Sequence, residues 1–311
     1  MKKYIFKRTL LAIPILFVVS LFIFCMLRLN GTDAAMSYLN ASGITPTKES
    51  LAHARAELGL DKPILTQYGI WLKDAIKLDL GKSYITGRDV SKDIGYYFSN
   101  SIKLVLFGLF LTFSLSLLFG ILGAMYKDKF IDLLVRIFAF LGVSTPNFWL
   151  GFILISIFSV HFSLLPPFGS GTFMHLIMPG FAISFMSIAI NARFIRANML
   201  ENISSRHVMY AKMRGVSGFG LILKHVLKNA LLPVITAMGM HFGELVGAAI
   251  VVENVFAYPG IGSYIITAII SNDYPVILAF MLLFSVIFII SNLLIDISYA
   301  FIDPRIRLGV K

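Results

Sequence analysis

The stretch TLLAIPILFVVSLFIFCMLRL, residues Thr9–Leu29, has Arg28 as its single charged side chain. The hydrocarbon core of a bilayer, about 30 Å thick, is crossed by about 20 apolar residues in an α-helix. Four basic residues precede the stretch, as in a signal peptide, but a signal peptide has an apolar core of only about 7–15 residues and a small-residue cleavage site, which is missing here. We therefore predict a retained transmembrane helix.

Further apolar runs of similar length predict an integral membrane protein. The chain is 58% hydrophobic and 14% charged, with a mean hydropathy of +0.84, whereas a soluble domain has about 25% charged residues. The other predicted spans are Lys103–Met125, Val135–Val160, His175–Ile195, Leu232–Val255 and Val276–Phe301. The expected fold is all-α, with six transmembrane helices.

Composition also excludes two function classes. The net charge of +11 would suit a nucleic-acid-binding protein only if the basic residues formed one face of a soluble domain. Here they lie between apolar spans, so no nucleic-acid partner is expected. The single cysteine, Cys25, lies inside the first span, which leaves no disulfide framework and no cysteine-based metal site.

The distribution of Lys and Arg predicts the orientation, because cytoplasmic loops are enriched in both. The two short loops after Val160 and Val255 contain neither residue. With both termini in the cytoplasm, the basic residues collect on that side: Lys2, Lys3, Lys7, Arg8, Lys127, Lys129, Arg136, Arg193, Arg196, Arg206, Lys212, Arg214, Lys224, Lys228, Arg305, Arg307 and Lys311. We expect both termini to be cytoplasmic.

The predicted domain organisation has three parts. Residues 1–30 are the N-terminal tail and first helix, 31–102 form a small external subdomain, and 103–311 form a five-helix core. In the external part, Thr47 is a possible N-cap for a helix over Thr47–Leu58, and Gln67–Leu78 repeats the amphipathic pattern.

A cytoplasmic segment of the core, about 198–232, is too polar to span a membrane. Val208–Arg214 predicts a short helix, and a second helix is expected from Leu221 to Pro233. Glycines lie between them, and Gly215 permits the positive φ that ends a helix. Small residues at Ala211 and Gly215 would let another protein approach closely, although an ordinary surface loop fits the same pattern.

The core of this segment, Ala211-Lys212-Met213-Arg214-Gly215 with the later pair Leu232-Pro233, resembles permease subunits of the oligopeptide, dipeptide and nickel branch of ABC importers. Met209 and Tyr210 stand where the common form of the motif has Glu-Ala, and Tyr258 stands where the family has Trp. Five further motifs fit in the family's order: Glu57–Leu72, Asp79–Val90, Ser144–Gly151, Val252–Gly262 and Asp303–Arg307.

The resemblance implies a type I importer permease in a bacterial inner membrane. Tyr210, Ala211, Arg214 and Gly215 would form the coupling helix that contacts an ATPase. Residues after the fifth span would form an external gate or turn: Glu253, Tyr258, Pro259, Gly260 and Gly262. The implied partners are a second homologous permease, two ABC ATPase subunits that bind ATP and Mg²⁺, and an extracytoplasmic binding protein. This chain has no G-x-x-x-x-G-K-[ST] loop, so we expect no ATP hydrolysis and no cofactor of its own.

Polar residues in the fifth span bear on the cargo. His241 and Glu244 are three residues apart and share a helical face with Met238, and Met240 is adjacent. Imidazole suits nickel, and Gly239–Gly247 resembles the nickel permease subgroup, so nickel, free or chelated, is the expected cargo. Two alternatives remain. The His–Glu pair could hydrogen-bond to the partner permease instead of binding metal, and the cargo could be a dipeptide or oligopeptide instead of nickel. An intramembrane metalloprotease is disfavoured because no H-E-x-x-H motif occurs.

Overall fold

The computed structural model describes residues 2–29 and 33–302, with side chains described for 9–11, 13–29, 33–231 and 241–293. The described chain is all-α, apart from one isolated bridge between Lys82 and Asp89. Its helices are α1 Lys2–Leu29, α2 Ala34–Ala41, α3 Lys48–Glu57, α4 Ile64–Ile76, α5 Val90–Met125, α6 Phe130–Ser144, α7 Asn147–Leu154, α8 Met174–Ile203, α9 Arg206–Met213, α10 Gly218–Leu221, α11 Lys228–Val255, α12 Ile261–Ile270 and α13 Tyr274–Ile302. Two π-helical segments, Ile155–His161 and Ile222–Leu227, follow α7 and α10. The all-α prediction is confirmed.

Four helices in the described part are long and apolar enough to cross a membrane: Thr9–Leu29, Val90–Met125, Met174–Ile203 and Tyr274–Leu293. The bent pair Phe130–Ser144 and Asn147–His161 makes a fifth if it is one span. The predicted span Leu232–Val255 lies within α11, where the side chains of residues 232–240 are outside the described part.

The predicted span Val135–Val160 is broken in the structure. α6 ends at Ser144, α7 begins at Asn147, and the two helices differ in direction by 112°. The cause is local: a residue before proline is disfavoured in the α region, and Thr145, before Pro146, has φ −98° and ψ 119°. The single helix predicted over Val135–Val160 is thus two helices in the structure, divided at Pro146.

The chain divides into two compact units, residues 1–101 with 259–293 and residues 102–258 with 294–311. In the first unit, Phe24, Tyr68 and Leu278 form a buried cluster, and Tyr68 shares a 2.8 Å hydrogen bond with Ser20. The N-cap at Thr47 is confirmed, because its hydroxyl accepts from the Ser50 N–H in a capping box.

The core of the second unit is formed by α5, α7, α8 and α11. Leu104, Met178, Ile183, Leu245 and Val252 belong to one buried cluster there. A second cluster joins α8 to the segment that follows it, through Ile195, Met199, Val208, Ala211, Leu221, Val226 and Ala230. The predicted coupling segment is therefore packed against membrane helices of its own chain. The three-part division predicted from sequence stays a prediction.

Candidate functional site

The Ala211-x-x-x-Gly215 spacing is that of a helix C-cap. α9 ends at Met213, and Gly215 follows the cap residue Arg214 with a φ of +83°. The Gly215 N–H donates to the Lys212 carbonyl at 2.9 Å, and the Val216 N–H donates to the Ala211 carbonyl at 3.1 Å. These are the two bonds of a Schellman motif. The motif therefore ends α9 sharply and sets the direction of the turn that follows.

The two faces of α9 differ. Tyr210 is 66% exposed and Met209 and Met213 are also exposed, as is Phe219 on α10. Ala211 is only 6% exposed and lies with Val208 in the buried cluster against α8. The interpretation that Ala211 leaves room for another protein therefore needs correction, because its small side chain packs against its own chain. The exposed apolar residues form the surface available to a partner; the coupling role itself stays a prediction.

The segment after Gly215 is connected to the predicted fifth span without a break. α10 begins at Gly218, three residues before the predicted start, and continues through the π-helical segment into α11. The predicted end at Pro233 was wrong, because the helix runs on to Val255. A continuous helix satisfies its own backbone groups, which is required where water is excluded. Displacement of α9 and α10 would thus act directly on α11.

An ion pair that the sequence analysis did not identify joins α6 to α8. Asp132 is fully buried and accepts two hydrogen bonds from the Arg196 guanidinium, at 2.6 and 2.8 Å. The Asp128 N–H donates a third to Asp132, at 3.0 Å. This bidentate contact holds α8 against α6. It lies near Met199, which belongs to the buried cluster that α8 forms with α9. The available sequence signal was a pair of opposite charges, Asp132 and Arg196, near the predicted cytoplasmic ends of adjacent spans.

His241 and Glu244 are in contact, as their spacing predicted. The His241 Nδ1 lies 2.7 Å from the Glu244 carboxylate, and its Nε2 lies 2.8 Å from the Asn191 side-chain nitrogen on α8. An amide nitrogen can only donate, so Nε2 accepts and Nδ1–H donates to Glu244. Asn191 also donates to the Ser187 carbonyl at 2.8 Å. Both ring nitrogens of His241 are thus engaged in hydrogen bonds.

The other predicted metal ligands do not join this pair in the described structure. The side chains of Met238 and Met240 lie outside the described residues. Among the side chains that the structure does describe, no group of three or more His, Cys, Asp or Glu could hold a metal ion.

A cavity of about 710 Å³ adjoins the His241–Glu244 pair. α8 and α11 supply the lining residues: Ile190, Asn191, Arg193, Phe194, Ala197, His241 and Glu244. Two of these residues are charged and of opposite sign, Arg193 on α8 and Glu244 on α11, and both are exposed. Because charged groups in membrane helices face a water-filled path or a protein partner rather than lipid, this face is the strongest candidate for the route of the cargo.

The predicted external gate begins at the end of α11. Glu253 is fully buried, and its main-chain carbonyl accepts from the Tyr258 N–H at 2.8 Å. Tyr258 is buried, and Ala257 between them has a φ of +43°. This backbone hydrogen bond and the positive φ of Ala257 define the turn that follows α11. The role of Glu253 and Tyr258 in a gate stays a prediction.

The remaining gate residues belong to the start of α12. Gly260 is its N-cap residue, and Gly262 is buried in its first turn. The Pro259 carbonyl accepts from the Asn100 side chain at 3.0 Å, and the Ile261 N–H donates to the Ser101 hydroxyl at 2.8 Å. These bonds hold the start of α12 against the start of α5.

The motif at Asp79–Val90 forms a tight hairpin that the sequence analysis did not connect to any partner. The Ser83 hydroxyl and the Tyr84 N–H both donate to the buried carboxylate of Asp273, before α13. Burial raises the pKa of the Tyr84 phenol to about 12, so the phenol is neutral at physiological pH. Through its hydrogen bonds with Ser83 and Tyr84, Asp273 anchors this hairpin to the turn between α12 and α13.

Comparison with known proteins extends over the whole chain. Residues 116–308 match the family described as binding-protein-dependent transport system inner membrane component, and residues 1–116 match its N-terminal region. The glutathione transport system permease proteins GsiC of Escherichia coli strain K12 and of Shigella dysenteriae serotype 1 are each 36% identical over 307 residues, covering 99% of this chain and 99% of the relative.

A solved structure supports the fold. A crystal structure of an amino acid ABC transporter with histidines superposes with a TM-score of 0.54 and 15% identity, covering 67% of this chain and 93% of the other. At this identity the similarity concerns the fold alone, which is that of a type I permease. The chain therefore belongs to the family of binding-protein-dependent transport system inner membrane components and is a permease subunit of an ABC importer, a pore-forming protein that is not itself an enzyme.

Proposed function

We propose that this permease carries a small peptide or peptide-like solute, delivered by an extracytoplasmic binding protein. The observation that carries the proposal is the 36% identity to glutathione permeases across 99% of both chains. The open cavity beside His241 agrees in size, because its roughly 710 Å³ lies in the range of pockets that bind small organic molecules. A bare metal ion needs far less space.

Nickel, the cargo expected from the sequence, has less support from the described residues. A His ligand must offer one ring nitrogen to the metal, and both nitrogens of His241 already have partners, Asn191 and Glu244. The Glu244 carboxylate and the His241 imidazole nevertheless lie side by side. Nickel is therefore the alternative cargo that an uptake experiment must distinguish from a peptide.

The proposed assembly contains a second, homologous permease and two ATPase subunits. The exposed face of α9, with Met209, Tyr210 and Met213, is apolar enough to serve as the ATPase contact. This contact requires α9 to be cytoplasmic, which agrees with the orientation predicted from Lys and Arg, with both termini inside. Arg193 and Glu244 lie on an exposed face of membrane helices, which favours a second permease that encloses the cavity on this face and separates it from lipid.

Uptake by the complete transporter tests the cargo. The assembled complex, reconstituted in liposomes with its binding protein, would be given radiolabelled glutathione, a radiolabelled dipeptide, or ⁶³Ni²⁺ with and without a chelator. We expect ATP-dependent accumulation of at least one of the two peptides, and the same vesicles without ATP serve as control. ATP-dependent accumulation of nickel with no uptake of either peptide would contradict the proposal.

A further inference from the structure

The cavity between α8 and α11 contains two opposite charges on separate helices. Ile190, Asn191, Arg193, Phe194 and Ala197 recur at the spacing of one face of α8, and His241 and Glu244 share one face of α11. The α8 face supplies a cation and the α11 face an anion, while most of the remaining lining is apolar or neutral. A ligand that complements this lining has a negative group, a positive group and an uncharged body.

The two charges are available to such a ligand. Among the described side chains, no carboxylate lies within ion-pairing distance of Arg193. The Glu244 side chain is 42% exposed although it contacts His241. His241 accepts from Asn191 at Nε2 and donates its Nδ1 proton to Oε2 of Glu244, so this contact does not cover the whole carboxylate.

The Glu244 carboxylate is also held in place. Asn191 is buried and donates both to the Ser187 carbonyl and to His241 Nε2. His241 in turn donates to Oε2 of Glu244 at 2.7 Å. This chain of hydrogen bonds makes Asn191 and His241 positioning residues, because they hold the Glu244 carboxylate at the lining of the cavity.

We propose that this cavity is a recognition site within the permease for a zwitterionic peptide, resting on the peptide cargo proposed above. Arg193 would pair with the ligand's carboxylate and Glu244 with its ammonium group, while Phe194 and Ile190 contact its apolar body. The site would therefore select for free termini during passage through the membrane, in addition to the selection made by the binding protein.

Peptides with one terminus blocked test each charge separately. The reconstituted transporter would be assayed for uptake of a dipeptide, its N-acetyl derivative and its C-terminal amide. In the wild type, we expect the kcat/KM for each blocked peptide to be at least about tenfold lower than that for the free dipeptide. The reason is that each blocked peptide loses one charge-assisted hydrogen bond. Glu244→Gln should reduce the preference for the free peptide over the acetylated one relative to the wild type, and Arg193→Gln should reduce the preference for it over the amide.

Three further variants separate recognition from structure. Glu244→Asp keeps the charge and should restore most of the discrimination. Glu201→Gln makes the same charge change on exposed α8 surface outside the cavity and should leave all three uptake rates unchanged. His241→Ala should weaken the discrimination against the acetylated peptide but not that against the amide, because it releases only Glu244. Basal ATPase activity of each purified complex checks that the variants assemble.

The outcomes distinguish failure of the proposed recognition site from failure of the proposed peptide cargo. Suppose that the wild type takes up peptides and that each charge variant loses uptake of all three substrates equally. This result would overturn the site and would place Arg193 and Glu244 in contact with the partner permease. Unchanged discrimination in both variants would overturn it as well. Uptake of nickel alone by the wild type would overturn the proposed function together with the site.

Discussion

His241 illustrates how the partners of one side chain limit its chemistry. Its Nε2 accepts from Asn191 and its Nδ1–H donates to Glu244. Binding of a metal through either nitrogen would require one of these bonds to break, and loss of the Asn191 bond would leave a buried amide with one partner fewer. The geometry therefore favours His241 as a residue that orients Glu244.

Gly215 is a second residue whose role follows from its backbone. Its φ of +83° lies in the left-handed region, while a Cβ built there would have nothing within 4 Å. Space is therefore not the constraint on this position. The constraint is the conformation, which costs an L-residue about 1 kcal/mol or more relative to glycine.

Substitution Gly215→Ala should loosen the end of α9. A loss of about 1 kcal/mol corresponds to roughly fivefold faster amide hydrogen exchange for residues 210–216, if these amides exchange by local opening of the cap. Hydrogen exchange of the purified transporter, followed by mass spectrometry, measures this. Gly220→Ala is the matched control, since Gly220 also has open space around it but no positive φ. Equal exchange in the two variants would refute the role of the cap.

At the scale of helices, α6 and α8 meet through small residues. A Cβ on Gly142 would lie 2.3 Å from the Ala189 Cβ and 3.3 Å from the Phe185 carbonyl oxygen. Neither atom can move without its backbone, so the two helices approach as closely as they do only because Gly142 has no side chain. Such contacts are a common means of packing between membrane helices.

Substitution Gly142→Ala should separate α6 from α8 and lower the stability of the complex by about 1–3 kcal/mol, the usual cost of overpacking. The thermal midpoint of the detergent-solubilised transporter measures the effect. Gly247→Ala on α11 is the control, because nothing lies within 4 Å of its added Cβ.

A double variant sharpens this test. Ala189→Gly removes the atom that the new methyl group would meet, so Gly142→Ala with Ala189→Gly should recover part of the lost stability. If the double variant is as unstable as the sum of the two single changes, the contact between these two positions is not the cause.

At the scale of the whole molecule, the predicted coupling surface consists of exposed apolar side chains on α9 and α10: Met209, Tyr210, Met213 and Phe219. Below this surface, Val208 and Ala211 are packed with α8, and α10 leads into α11. Force applied to the surface therefore reaches the two helices that line the cavity of Arg193 and Glu244.

Substitution Tyr210→Ala should weaken the contact with the ATPase, because a large aromatic side chain at an interface often contributes a large share of the affinity. We expect the dissociation constant to rise about tenfold or more, measured by titrating purified ATPase onto the permease in nanodiscs. Tyr96→Ala, which truncates an exposed tyrosine on α5, is the control. Unchanged affinity for Tyr210→Ala together with normal uptake would show that the ATPase binds elsewhere.

The sequence by itself determined the membrane-spanning, all-α class, the cap at Thr47, the short helix before Gly215 and the family. These features depend on apolar run length and on residues a few positions apart, which act whatever the rest of the chain does. The His241–Glu244 contact belongs with them, since three residues of helix bring the two side chains together.

Only the tertiary structure decided the inward direction of Ala211, the 112° bend at Pro146, the partners of Asp132 and Ser83, and the contact of His241 with Asn191. The Asp132–Arg196 contact joins residues 64 positions apart and the Ser83–Asp273 contact joins residues 190 apart. No local pattern specifies such pairs, because they depend on which helix faces meet. The angle of a bend likewise depends on the neighbouring helices, although a proline marks where it occurs.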